Sequence, residues 1–234
     1  MSDFTEAFAT AARLVAAGDP TLVEIVLLSL RVSLSAVLLA TLLGLPLGAL
    51  LALARFPGRT GVIVLLNACM GFPPVIAGLV LYLLLSRAGP LGSWGLLFTP
   101  GAMILAQCAL VTPIIAALTR QLVEDLWSEY QEQLKSLGAS RVRAAFTLLW
   151  DARLSLGTAV LAGFGRASAE VGAVIIVGGN ISGFTRTMTT AIALETSKGD
   201  LSLALGLGFV LLTLTLIVNG ATQLASEALR RSAG

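Results

Sequence analysis

The sequence predicts an all-α integral membrane protein with five transmembrane helices, on three observations. Of its 234 residues, 56% are hydrophobic and 12% charged, against about a quarter charged in an ordinary soluble domain. Five largely charge-free runs are each long enough to cross a hydrocarbon core of about 30 Å, which takes roughly 20 helical residues. The basic residues that punctuate those runs fall mostly on one side of the implied membrane.

The segment 1–19 precedes the first run. It sets Phe4, Phe8, Ala11 or Ala12 and Val15 at helical spacing ahead of Gly18-Asp19-Pro20, the pattern of an interfacial amphipathic helix. Asp3, Glu6 and Arg13 argue against a cleaved signal peptide. The transmembrane domain then occupies 20–234, with spans expected at about 26–54, 62–85, 94–119, 154–177 and 201–224. Pro46, Pro73, Pro74 and Pro113 lie inside spans, where freed carbonyls must be satisfied by neighbouring helices or by water, so kinked helices lining a path are expected.

Three charges interrupt the spans: Arg31 in the first, and Arg166 and Glu170 in the fourth. At membrane depth such groups need a partner or a wet cavity. Arg166 and Glu170 stand at i and i+4, so they can neutralise each other. A lock between helices and a direct part in transport both fit that pairing. The fourth span is also rich in small residues, Gly157, Ala159, Gly163, Gly165, Ala169 and Gly172. Close helix packing explains them; alternatively Ser155, Thr158 and Ser168 line a polar path for an ion. Five helices are few for a pore and its walls, which suggests a homodimer with the path on its axis.

Orientation follows from the loops. Arg55, Arg59, Arg120, Lys135, Arg141, Arg143, Arg153, Arg230 and Arg231 share one side, against Arg13, Arg87, Arg186 and Lys198 on the other. The positive-inside rule therefore puts the loop 120–153 and the C-terminus in the cytoplasm and the N-terminus outside. Within that loop, 129–151 is a polar block of helix formers interrupted by Gly138, which predicts two short helices joined at a glycine and open to a soluble partner. On the outer side the loop 178–200 begins with Gly178-Gly179-Asn180, residues suited to a tight turn. A short helix from about Thr187 to Ser197 should follow, ended by Gly199, with Asp200 capping the fifth span.

Several function classes are excluded. Histidine is absent and the two cysteines, Cys69 and Cys108, lie in apolar runs, leaving no metal cluster, no Cys-His pair and no disulfide framework. No nucleophile-base constellation marks a membrane-embedded enzyme. The net charge of +2 gives no footprint for nucleic acid. No phosphate-binding G-x-x-x-x-G-K-[ST] loop occurs, so any ATP site belongs to another chain.

Glu132, six residues before Gly138, with the run Leu137-Gly138-Ala139-Ser140-Arg141, resembles the E-A-A-x3-G cytoplasmic loop in the permease subunits of ABC importers. The motif's two alanines are replaced by Gln133 and Leu134, and its closing I-x-L-P falls on Leu148, Leu149, Trp150 and Asp151, without the proline. Ala169-Glu170-Val171-Gly172-Ala173, Val177 to Ile181, Thr185 to Ile192 and Gly71 to Val75 look like the tungstate permeases of that family. Molybdate permeases are close relatives, usually with Glu-Phe-Gly-Ala and Asn-Ile-Pro-Gly where this chain has Glu170-Val171-Gly172-Ala173 and Asn180-Ile181-Ser182-Gly183. The bacterial character of the family argues against using Asn180-Ile181-Ser182 as a glycosylation site.

The resemblance implies a type I ABC importer permease fold in a bacterial or archaeal cytoplasmic membrane. It implies a homodimer moving tungstate by alternating access, with Glu132, Leu137, Gly138, Ala139, Ser140 and Arg141 seated in a groove of a separate ATPase. Two copies of that cytoplasmic subunit would bind the ATP and magnesium, and this chain no cofactor. An extracytoplasmic oxyanion-binding protein is the further partner implied. Asn180, Thr185 and Arg186 are candidates for meeting it, with Arg186 and the threonines alternatively guiding the anion or anchoring the loop. Ser155, Thr158, Arg166, Ser168 and Glu170 are the candidates for the path or gate. Molybdate or sulfate is the alternative substrate. A gradient-driven secondary transporter is the rival mechanism, for which repeats and a chain of buried acidic or histidine sites are expected.

Overall fold

The computed structural model describes residues 16–232 together with Thr5, Ala9 and Ala12; most of the interfacial helix expected over 1–19 lies outside these. Among the described residues the regular elements are helical. In order they are α1 (Pro20–Leu53), α2 (Arg59–Met70), α3 (Pro74–Leu85), α4 (Pro100–Ser136), α5 (Arg141–Asp151), α6 (Arg153–Ser168), α7 (Gly172–Gly178), α8 (Met188–Lys198) and α9 (Leu201–Ser232), with a single 3-10 turn at Gly92–Trp94.

Helix α1 starts where Asp19 accepts a hydrogen bond from Leu22 N at 2.9 Å and Pro20 occupies the first turn, satisfying amides that the helix itself leaves free. It then runs beside α4. The two backbones meet at Gly48, where a Cβ would come within 2.4 Å of the Ala116 carbonyl oxygen, and this intimacy is the reason for small residues at helix crossings. Three layers of core follow along the bundle. Leu85, Met103, Val174 and Val177 fill the end that the charge pattern predicts to lie outside (the outer end), Val111, Ile115 and Phe164 the middle, and Ala49, Leu53, Val123, Ala144 and Leu148 the opposite, inner end.

Among the described residues three helices are long and apolar enough to cross a membrane, α1, α4 and the 201–221 part of α9; counting two bent pairs as spans raises the number to five. Those pairs are α2 with α3, bent by 102°, and α5 with α6, bent by 76°. The second expected span is therefore broken at Gly71-Phe72-Pro73, as adjacent prolines that cannot continue a helix require. The fourth expected span, 154–177, is likewise two helices, α6 and α7, separated by Ala169-Glu170-Val171. In contrast, α1 and α4 continue through Pro46 and Pro113.

The third span departs most from expectation. It was expected to end near 119, with a separate short helix before Gly138. Instead α4 is one helix of 37 residues ending at Ser136. Residues 120–136 are good helix formers, so nothing stops the helix where its surface changes from apolar to polar. At that boundary Glu124 pairs with both Arg59 and Arg120, and Arg59 Nε donates to Leu51 O at 2.8 Å. One carboxylate thus ties the end of α1, the start of α2 and the emerging part of α4.

Candidate functional site

At the inner end, α4 closes in two backbone bonds: Gly138 N donates to Lys135 O at 3.0 Å and Ala139 N to Leu134 O at 3.0 Å. This is a Schellman ending, and it requires the left-handed conformation that Gly138 adopts, φ +68°. Ser140 then caps α5, accepting from Arg143 N at 3.4 Å. Glu132, Leu137, Gly138, Ser140 and Arg141 are all exposed, with Leu137 at 81%, while Ala139 is half-buried. A Cβ at Gly138 would meet nothing within 4 Å. The turn is held up by α5, whose Ala144 and Leu148 sit in the inner core. On the same helix end, the Tyr130 hydroxyl is pushed above its ordinary value, first by hydrogen bonding to Glu129 and then by that residue's charge.

At the outer end the geometry closes inward. Glu170 is 3% exposed. Its carboxylate accepts from Arg166 Nη1 at 2.5 Å and from Ala173 N at 3.0 Å, while its carbonyl accepts from the Thr189 hydroxyl at 2.9 Å. The side chain therefore caps α7 and compensates for the break in the fourth span, in keeping with the need to satisfy every backbone group at membrane depth. Thr185, fully buried, donates to Gly178 O at 2.6 Å and accepts from Ile181 N at 2.9 Å. Thr187, Thr189 and Thr190 interlock above it and cap α8, whose first amide, Met188 N, donates to the Ser29 hydroxyl of α1 at 2.8 Å.

The other candidates divide. Ser155 and Thr158 lie on the exposed face of α6, whereas Ser168 lines an internal cavity of about 20 Å³ with Ser33, Gln107 and Thr187. That volume suits about one water molecule and is too small for a tetrahedral oxyanion. Of the fourth-span glycines, Gly163 packs against Val111 and Ile115, and Gly157 and Gly165 face open space. Close packing and an open polar face are both present, on opposite sides of α6. Arg31 is exposed and shares a groove with Glu24 and Phe184.

Two outer-loop candidates point inward, Thr185 fully buried and Asn180 half-buried. Thr185 has no surface to offer a docking protein, and Asn180 turns its amide inward, donating to Thr190 O at 3.3 Å. Arg186 Nη2 reaches Asn180 O at 3.5 Å while its Nε is buried without a partner. Ile181, Ser182 and Phe184 are what this loop exposes. Sequence reasoning also missed Gln107, 3% exposed, whose Nε2 donates to Ala167 O at 3.0 Å and whose Oε1 is unpartnered. It is the one amide side chain in the run 94–119, and that polarity at membrane depth was the available signal.

No protein-family model matches the chain. It is 42% identical over 203 residues to a probable anion ABC transporter permease protein of Haloferax volcanii, covering 85% of this chain and 88% of that one. It is 40% identical over 219 residues to the tungstate uptake system permease protein of Peptoclostridium acidaminophilum, covering 94% and 96%. The tungstate uptake system permease protein of Campylobacter jejuni matches at 41% over 159 residues, 68% of this chain and 66% of that one.

Proposed function

The chain belongs to the permease subunits of ABC transporters, and from that premise we propose that it is the membrane subunit of an ATP-driven tungstate importer, working as a homodimer by alternating access. In this reading five spans cross the membrane, with the N-terminus outside and the C-terminus in the cytoplasm. A separate cytoplasmic ATPase, in two copies, binds ATP and magnesium. An extracytoplasmic binding protein delivers the anion.

The observation that carries the coupling role is the exposed Schellman turn at Gly138 on the end of an uninterrupted α4. Glu132, Leu137, Gly138, Ala139, Ser140 and Arg141 form the surface on which the ATPase docks. The path runs along the outward face of α6, where Ser155, Thr158 and the half-buried Arg166 stand, and a second copy supplies the opposite wall. Arg166 supplies positive potential there, with its charge partly balanced by Glu170. A path must release its ion as readily as it admits it, so selection of tungstate rests chiefly with the binding protein. The assignment to tungstate is supported by likeness to a tungstate uptake permease across 94% of the chain.

The test measures cellular tungsten and molybdenum by mass spectrometry at trace tungstate, with excess molybdate or sulfate as competitor, in cells with the chain, without it, and with Gly138→Arg. Tungsten uptake that needs the chain, survives the competitors and falls to background in Gly138→Arg is the expected result. Equal loss of both metals on deleting the chain would replace tungstate by a wider oxyanion range. Full uptake by a well-inserted Gly138→Arg protein would remove the coupling assignment.

A further inference from the structure

Helix α5 has three faces. Ala144 and Leu148 enter the inner core. Arg143, Thr147 and Asp151, about a third of a turn round the helix, form an exposed polar face. The third face is apolar and uncovered: Val142, Phe146 and Trp150 recur at i, i+4 and i+8, with Phe146 71% and Trp150 72% exposed. A helix with core, water and bare hydrocarbon on separate sides fits a membrane interface. Its axis lies 76° from that of α6, so if α6 crosses the bilayer α5 lies close to its plane.

Two open apolar grooves flank the stripe. One, about 380 Å³, runs between α5 and the inner end of α1, with Pro46, Leu50 and Phe146 among its walls and Arg141 at its rim. The other, about 430 Å³, lies between α5 and α6, with Phe146, Trp150 and Leu161 among its walls and Arg153 at its rim. Phe146 is common to both. The first groove continues the exposed apolar row of α1, Leu34, Leu38, Leu42 and Leu50. Arg153 stacks on Trp150, its guanidinium carbon 5.1 Å from the ring centroid, and donates to Trp150 O at 2.9 Å, leaving other guanidinium N–H groups free in an exposed residue.

We infer that this surface binds an anionic diacyl phospholipid of the cytoplasmic leaflet. Its two chains straddle Phe146, one in each groove, and its phosphate lies beside Arg153. The charge complementarity favours a lipid over a protein surface: the guanidinium at the rim meets a headgroup, and the apolar floor is continuous with a face that already meets hydrocarbon. The inference rests on the membrane placement of the chain and is independent of which ion it carries.

The test uses a Trp94→Phe, Trp127→Phe variant, leaving Trp150 as the reporter, in phosphatidylcholine nanodiscs containing brominated-chain phosphatidylglycerol or, at the same mole fraction, brominated-chain phosphatidylcholine. Brominated phosphatidylglycerol should quench Trp150 at least about two-fold more, and Arg153→Gln should abolish the difference, a basic residue near an anionic surface being worth about a five-fold preference. Equal quenching by both lipids before mutation would overturn the headgroup assignment. Absence of quenching by either would show the stripe covered by protein, the ATPase or a second copy, and would overturn the proposal outright.

Discussion

The two ends of this molecule are built on opposite plans. At the outer end, around Glu170 and Thr185 to Thr190, hydroxyls and carboxylate are buried and spend most of their bonding capacity on neighbouring backbone. At the inner end, from Glu132 to Trp150, charged and apolar side chains stand exposed on a turn closed only by its own backbone. The polar groups of the outer end are mostly satisfied within one chain, and those of the inner end are left free for others. A polar residue near the outside is therefore structural until shown otherwise, while an exposed leucine near the inside marks a contact still to be made.

The contrast is broken most directly at Arg166. Removing it by Arg166→Met strands a buried carboxylate, which should cost about 3–5 kcal/mol, read as a lowered thermal midpoint in detergent. Arg166→Met with Glu170→Gln should recover part of the loss, and an unaltered midpoint in the single variant would deny the lock. Thr185→Val deletes a hydroxyl that serves both Gly178 O and Ile181 N. A loss of about 1–3 kcal/mol is expected, with faster amide exchange at Ile181; wild-type exchange would mean that the loop is held by other contacts. At the inner end stability should fall less and coupling more. Gly138→Ala meets no neighbour and pays only for the left-handed backbone, about 1–2 kcal/mol, so the protein should insert normally. Leu137→Ala should stay within about 0.5 kcal/mol of the parent yet lower transport-coupled ATP hydrolysis in the assembled complex. Unchanged hydrolysis would remove Leu137 from the joint.

The sequence disclosed elements whose signal is local. The Gly138 turn, the cap at Asp200, whose carboxylate accepts from Leu203 N, and the stop at Gly199 all depend on residue types with strong local backbone preferences, whereas of the prolines expected to kink spans only the Pro73-Pro74 pair breaks its helix, Pro46 and Pro113 being carried through. The continuous α4 is hidden in the sequence because a change from apolar to polar imitates the end of a helix, although Arg120 to Ser136 have no breaker. The break at Ala169–Val171 was hidden for the converse reason. Glutamate is a poor advertisement for a cap, and only the fold brings Thr189 to the Glu170 carbonyl. The i, i+4 pairing of Arg166 with Glu170 was legible from spacing; the burial of Thr185 and the inward turn of Asn180 were not, because both are decided by how neighbouring elements pack over the loop.

The single helix α4 also has the mechanics of a lever. Its crossing with Gly44 and Gly48 on α1 lies at Ile115 and Ala116, between the exposed Glu132 and the buried Gln107. At a rise of about 1.5 Å per residue, the arm from Ala116 to Glu132 is about 24 Å and that to Gln107 about 14 Å. With the crossing as fulcrum, a tilt of about 5° displaces Glu132 by about 2 Å and Gln107 by about 1 Å the opposite way. On the proposed coupling, a push at the Glu132 end would arrive at the Ala167 carbonyl, next to the break in the fourth span, reversed in direction and roughly halved in size.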